Sequence, residues 1–410
     1  MGQQGIWVLG GEQSDFARSF AKEGLGVDAL VREVTEGALA DAGVAASDVG
    51  CVHVGNVFST AFTGQSHLAA MPATVVPELA GVAASRHEAA CATGSIALMA
   101  AMADLESGRY ETALVLGVEL ERTVPGDRAA DILRAASWVG HEGEPRYVWP
   151  QAFSDVADEY DRRYGLDEQH LRAFAELAFR NARTNPNAQT RSWRFGPSSF
   201  TDDDEQNPVI AGRTRRNDCS QVTDGGAAVV LATDAWVADH PEVLARGRAA
   251  RITGWAHRTL GLALAPKLEG SRDDTHVLPH VRDTFAQALG RAGLGGVEDL
   301  SALEVHDCFA ASGYLAIDHT GITPPGDSWK AIEAGDIERA GRIPINPGGG
   351  LIGIGHPIGA TGVRMVLDAT RQVTGRAEEA QVEGATRVAT LNIGGSLATT
   401  CSFVVEQVPA

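Results

Sequence analysis

A chain of 410 residues, 44% apolar and 21% charged, is too long for one hydrophobic core, which stops growing near roughly 250–300 residues, and has enough apolar material for two. Its net charge of −19 opposes nucleic-acid binding, which relies on clustered Lys and Arg, though a polyanionic small molecule needs only a local basic pocket. No apolar run approaches the ~20 residues of a membrane span, Met1 to Val8 has no basic segment leading into an apolar one, and five scattered cysteines, Cys51, Cys91, Cys219, Cys308 and Cys401, make no disulfide framework.

In chain order, Ala29 to Asn56 reads as a helix ending at Ala42-Gly43-Val44, a loop with Asp48, and a strand from Cys51 to Val57. Cys91 follows, directly before Ile96 to Glu106, an Ala/Met/Leu-rich helix that is apolar nearly all round, as a helix between two sheets must be. Gly108-Arg109 and a strand from Ala113 to Gly117 complete this unit. Residues 121–215 are rich in Arg, Trp and Tyr and contain the turn former Asn185-Pro186-Asn187 and the acidic run Asp202-Asp203-Asp204-Glu205, which reads as a solvated loop. The segment reads as an excursion from the first half, with Ala227 to Leu231 as the returning strand.

His280 to Phe309 then repeats the first pattern, with Ala292-Gly293-Leu294, Asp299 and a strand ending at Glu304-Val305-His306. Gly359-Ala360-Thr361-Gly362, its helix, Gly375-Arg376 and the strand Ala389 to Ile393 repeat the pattern that began at Cys91. A repeat of this size predicts two similar α/β halves. Short Val/Leu/Ala-rich strands with little polar alternation predict sheets covered on both faces, hence two sheets with a helix layer between them and helices outside.

Cys91, in His87-Glu88-Ala89-Ala90-Cys91-Ala92-Thr93-Gly94-Ser95, is placed as a nucleophile, because first-turn N–H groups and the helix dipole favour a thiolate. Alone, it has the plainer reading of a small buried hydrophobe. Three more motifs stand at strand-to-loop points: His306-Asp307-Cys308-Phe309, Gly355-His356-Pro357-Ile358-Gly359 and Asn392-Ile393-Gly394-Gly395-Ser396. Singly, each has a structural reading: a hydrogen-bonded pair, a turn filler, a core cysteine. A metal is not expected, since adjacent strand residues face opposite ways and no Cys-x-x-Cys or His-x-x-x-His partner accompanies them. Gly348 to Gly353 formally matches G-x-G-x-x-G but follows Asn346-Pro347 instead of a strand, with its helix starting only after Gly362.

The order and spacing of these four motifs resemble the thiolase superfamily, and the resemblance runs from Val8 to Val405. His306-Asp307-Cys308-Phe309 looks like the sterol-carrier-protein-2 type thiolases and acetyl-CoA acetyltransferase-like relatives, where the bulk thiolases have Asn-Glu-Ala-Phe. Those also carry a second catalytic cysteine in the last Gly-rich loop, where this chain has Asn392; Cys308 then replaces it. Asp155 to Tyr160, Tyr164-Gly165, Asn185-Pro186, Ala188-Gln189 and Cys219 to Gly225 are similar to segments of the same subgroup.

The resemblance implies an α/β thiolase fold, two halves packed as five layers (αβαβα) with an inserted loop domain: 1–120 plus 216–245, 121–215, and 246–410. It implies a CoA-dependent acyltransferase that thiolyses a 3-ketoacyl-CoA or runs the reverse Claisen condensation. Cys91 would be acylated, its pKa lowered by the helix start and a nearby histidine. His356 would be its base, Cys308 would move the α-proton with a pKa near the working pH, and His306 would help bind the enolate oxygen. The N–H groups of Cys91 and Gly394 would form a second oxyanion hole, and Asn392 and Gly395 of the same loop would help bind the oxyanion or substrate.

No bound cofactor is expected; coenzyme A and acyl-CoA are substrates, whose phosphates Arg183, Arg213, Arg215 or Arg216 could face if these are not simply structural. The expected setting is a reducing cytoplasm, as a homodimer or tetramer, with a small partner protein considered and neither nucleic acid nor membrane insertion. Asn392 together with Trp138, Trp149 and Trp193 motivates a rival, acyl transfer to a non-CoA acceptor or retro-aldol cleavage of a CoA-linked side chain. A non-catalytic acyl-carrier or partner-binding scaffold is the other rival, opposed by the joint presence of Cys91, His306, Cys308 and His356.

Overall fold

The computed structural model describes residues 5–142 and 146–408. The first half contributes β1 (Ile6–Gln13), α1 (Val27–Ala42), β2 (Cys51–Gly55), β3 (Ala83–His87), α2 (Thr93–Glu106) and β4 (Thr112–Leu120). The excursion carries α3 (Val148–Tyr164) and α4 (Glu168–Ala182), and the chain returns through β5 (Asp224–Thr233). The second half supplies β6 (Ala250–Thr259), α5 (Pro279–Arg291), β7 (Ala302–Val305), α6 (Ala310–His319), α7 (Thr361–Val373), β8 (Arg387–Gly394) and β9 (Thr399–Gln407).

These strands line up as β3-β2-β4-β5-β1-β6-β9-β8-β7, so the expected two sheets are continuous along one edge. The run β2-β4-β5-β1 matches β7-β8-β9-β6 member for member, and the halves join where β1 pairs antiparallel with β6 through Ile6, Trp7 and Val8 against Ile252, Arg251 and Ala250. Each of these strands would otherwise end its half-sheet with unpaired N–H and C=O groups, which the junction satisfies. Even β3 has a counterpart, since Leu303 bridges Ile345 in parallel as β2 pairs in parallel with β3.

The duplicated helices form the middle layer. α2 packs on β2 and β4, α7 packs on β8 and β9 and reaches across to β5, and the two helices pack on each other. Ala97, Leu98, Ala101, Met102 and Leu105 of α2 and Val363, Val366, Leu367 and Val373 of α7 fill one core between the half-sheets. Glycines set the approach at the helix starts: a side chain at Gly362 would collide with the Ser95 backbone, and one at Gly117 with the Gly359 carbonyl. α1 covers the first half-sheet and α5 the second. The helices of the excursion leave the first half and pack on the second, sharing its outer core through Phe153, Tyr160, Phe174 and Phe179.

Two local expectations change. β7 ends at Val305, so His306, Asp307 and Cys308 lie beyond the strand and do not alternate across it. The Gly348–Gly353 stretch contains a short helix, Gly350–Ile354, and α7 starts at Thr361, earlier than Gly362. Among the described residues, no helix is long and apolar enough to cross a membrane.

Candidate active site

Both middle helices begin at one place, and that convergence builds the site. Cys91 stands two residues before α2, turned by Ala90, whose φ of 49° is a left-handed conformation costing an L-residue roughly 1–2 kcal/mol. Thr93 Oγ1 accepts the Ala89 N–H at 2.7 Å and braces this turn. His356 occupies the equivalent loop before α7, where its own N–H is held by Thr223 Oγ1 at 3.0 Å. Cys91 Sγ and one ring nitrogen each of His306 and His356 lie within 4.8 Å of one another. The two imidazoles meet edge to face, centroids 5.2 Å apart and planes at 84°.

Hydrogen bonds assign the protons. Thr361 donates its hydroxyl to the Pro357 carbonyl at 3.2 Å, so it accepts from His356 Nδ1 at 2.7 Å. That leaves Nε2 of His356 as a buried lone pair with no protein partner, the form a general base requires. His306 is set the opposite way. Asn392 donates Nδ2–H to His306 Nδ1 at 2.9 Å, and its Oδ1 accepts from Ser95 Oγ at 2.7 Å. The His306 proton therefore sits on Nε2, making the ring a donor suited to a developing oxyanion. The spacing of Cys91, His306 and His356 is one a metal could use, but a protonated His306 Nε2 offers it no lone pair.

Burial governs the electrostatics. It pushes the Cys91 thiol up to about 12, with Glu121 adding to the rise, while the N–H groups of Gly395 and Cys91 act against it. The expected helix-lowered thiolate is thus not the resting form: the cost of burying charge exceeds the gain from the helix start. Cys308 is likewise pushed well above the usual thiol range by burial and by Cys91, so it rests as a thiol instead of titrating near working pH. Burial also lowers His356 to about 3 and His306 well below the usual imidazole range, helped there by His356 and Arg364.

Buried carboxyls frame the site. Glu121 Oε1 accepts the Ile358 N–H at 2.9 Å, fixing the loop that carries His356. Glu119 accepts from Val57 and Phe58 N–H at 2.9 and 3.0 Å and from Asn56 at 2.9 Å. Asp307 Oδ1 accepts the Leu351 N–H at 2.6 Å, and a side chain at Gly350 would strike the Asp307 carboxylate. The glycine run therefore wraps a carboxylate, which excludes the phosphate-cradle reading.

These groups make stability depend on pH with opposite signs. Burial raises Glu119 from 4.5 to about 7 and Asp307 from 3.8 to about 7, so between those limits the folded chain holds more protons and their contribution falls as pH rises. His356, lowered from 6.5 to about 3, binds fewer protons when folded, so its contribution falls as pH drops below 6.5. An unfolded histidine is still half protonated at 6.5, so the two contributions oppose each other through neutral pH. Glu119→Gln removes one contribution that falls with pH, so the variant's unfolding midpoint measured relative to the native chain should climb as pH rises from about 5 through 7; a difference that stays constant or falls contradicts the assignment.

A cavity of about 400 Å³ opens onto Cys91, Cys308 and His356, walled by Leu133, Trp149 and Phe153 from the excursion. Cys308 sits beside Ser312, Sγ to Oγ 3.8 Å. Gly395, and not Gly394, turns its N–H toward the Cys91 sulfur; Gly394 is still paired with Thr399 at the end of β8. Asn392 stands behind His306 and is wholly buried, away from the substrate face. Of the four arginines considered, Arg216 alone lines this cavity; Arg213 is bonded to Asp158 and Asp161 and Arg215 to Asp202 and Asp204. Sequence reasoning passed over Ser95, Thr361, Glu119 and Glu121. The Thr-Gly repeated at both helix starts and two glutamates closing an apolar strand were the available signals.

Comparison with known proteins agrees with this architecture. Residues 8–235 match the family model for the thiolase N-terminal domain, and residues 267–407 match the thiolase C-terminal domain-like model. An acetyl-CoA acetyltransferase from Methanothermobacter thermautotrophicus is 31% identical over 379 residues, 92% of this chain and 94% of that protein. Human sterol carrier protein 2 is 28% identical over 420 residues, 96% of this chain and 71% of that protein. Among solved structures, an Ltp2-ChsH2(DUF35) aldolase shares the fold with a TM-score of 0.76 at 20% identity, covering 98% of each chain. Human mitochondrial 3-ketoacyl-CoA thiolase in complex with CoA does so with a TM-score of 0.73 at 15% identity, covering 99% of each. With both family models matched over most of its length and a relative above 30% identity along nearly all of it, the chain belongs to the thiolase family.

Proposed function

We propose that this chain is a coenzyme A-dependent acyltransferase of the thiolase type, working through an acyl-Cys91 intermediate. The observation that carries the reading is the unpartnered lone pair of His356 Nε2 beside the Cys91 sulfur at the floor of a cavity walled largely by apolar side chains. Cys91 Sγ attacks the thioester carbonyl carbon of an acyl-CoA as its proton passes to His356 Nε2. The tetrahedral adduct, its oxygen facing the Gly395 N–H, collapses with loss of CoA, which takes the proton back.

In condensation, Cys308 first gives up its own proton to solvent through the cavity and, as the thiolate, removes an α-proton from a second acyl-CoA; the enolate oxygen takes a hydrogen bond from His306 Nε2–H, and the carbanion attacks acyl-Cys91, whose departing sulfur takes the proton that Cys308 gained. Thiolysis is the same path reversed. It begins with Cys308 as a proton donor, the form burial favours. Arg216, exposed at the cavity mouth, is the residue proposed to meet a CoA phosphate. Residues 121–215 supply the cavity wall, and two copies pair through the open edge of β3, whose residues are half-buried or exposed in the single chain. Light scattering should then give twice the chain mass.

The direct test is the intact mass of the protein after exposure to acetyl-CoA. One acetyl group should appear and map to Cys91; an unmodified chain, or acetyl elsewhere, would sink the reading. Asn392→Ala should lower kcat about 10- to 100-fold with KM little changed, because His306 loses the donor that holds its tautomer and angle. Unchanged kcat would show that Asn392 does not position His306.

A further inference from the structure

A second group of ligand-type side chains lies where β2 meets α2, apart from the catalytic cavity. Cys51 and His53, two residues apart on a strand, point to the same face, and Asp104, in the last turn of α2, projects onto them. Cys51 Sγ is 3.5 Å from His53 Nε2, His53 Nε2 is 3.4 Å from Asp104 Oδ2, and the three ligand atoms lie within 4.8 Å of one another.

A tetrahedral ion with metal–sulfur and metal–nitrogen or –oxygen bonds of about 2.3 and 2.0–2.2 Å has ligand-to-ligand edges of roughly 3.3–3.6 Å. Two edges of this triangle already have that length. As an ion-pair hydrogen bond, 3.4 Å is long beside the usual ~2.7–2.9 Å.

The outer partners fit as well. His53 Nδ1 meets His87 Nε2 at 3.0 Å, and Ser85 Oγ reaches the same His87 nitrogen at 2.9 Å. A proton on His53 Nδ1 leaves Nε2 free for an ion, the arrangement that orients metal-binding histidines. A Cys51 thiolate and an Asp104 carboxylate bring two negative charges with a neutral imidazole, balancing a divalent cation. The Asp104 side chain is 28% exposed, and its other oxygen lies 3.5 Å from the solvent-facing Arg109, which opens a path from water.

We propose that Cys51, His53 and Asp104 bind one divalent, thiolate-preferring cation of the zinc class, with water as the fourth ligand. Binding releases the Cys51 proton to solvent. The ion ties β2 to the far end of the helix whose start presents Cys91.

The test titrates cobalt(II) into the metal-free full chain carrying Cys91→Ser, which removes the sulfur of the catalytic cluster. One equivalent should produce a sulfur-to-cobalt charge-transfer band that zinc erases, together with a raised unfolding midpoint. Adding Cys51→Ser should abolish the band, and His87→Ala should keep it while weakening cobalt binding about 10- to 100-fold. Asp104→Asn, at a part-exposed position, should weaken binding by at least about tenfold and serves if Cys51→Ser fails to fold. Absence of the band in the Cys91→Ser protein overturns the site, and so does a band that survives Cys51→Ser or an affinity unmoved by Asp104→Asn.

Discussion

Cys91→Ala should leave the fold intact while abolishing the acyl adduct and lowering kcat/KM by at least about 10³-fold. The fold survives because the side chain is only half-buried and its sulfur faces the cavity. Activity fails because Cys91 supplies the sulfur grouped with the His306 and His356 ring nitrogens among the described residues. The loss should appear mainly in kcat, since the cavity walls that bind substrate are untouched. Intact-mass spectrometry and steady-state thiolysis measure the two effects separately; a variant with near-normal thiolysis would remove Cys91 from the mechanism.

Cys308→Ala should divide the reaction. Acylation needs only Cys91, His356 and the Gly395 N–H, so label exchange between acetyl-CoA and free CoA should continue. The carbon–carbon step needs a proton moved at the α-carbon and should fall by at least about 10²-fold, with exchange of α-hydrogens into deuterated water suppressed alongside it. Removing a buried thiol costs about 1–2 kcal/mol of stability, too little to unfold the chain. Normal turnover with every 3-ketoacyl-CoA tried would return Cys308 to the core and leave the second acid–base group unassigned.

Much of this was legible in the sequence because the duplication is local. Cys91-Ala92-Thr93-Gly94 and Gly359-Ala360-Thr361-Gly362 each announce a helix start, and burying both starts in one layer brings Cys91 and His356 together. Details set by distant pairing were not legible. Gly395 carries the facing N–H because β8 stays paired through Gly394 with Thr399, and nothing local marks where that ladder stops. Asn392 reads as a substrate contact in its loop, yet its partners, Ser95 and His306, lie 297 and 86 residues away. The thiol's acidity is not legible for the same reason: a helix start is visible in the chain, whereas the burial opposing it, and the approach of Glu121, exist only in the folded molecule.

The backbone contact at Gly117, Gly359 and Gly362 has a consequence for redesign. Main chain approaches main chain there, and the side chains that border the seam, Ser95, Asn392 and Glu119, are themselves held by hydrogen bonds. Part of the cavity wall, by contrast, comes from Leu133, Trp149 and Phe153 of the excursion. Chain-length preference can therefore be altered from that wall by exchanging whole loops among relatives, while substitutions at the seam would change rate and leave preference alone.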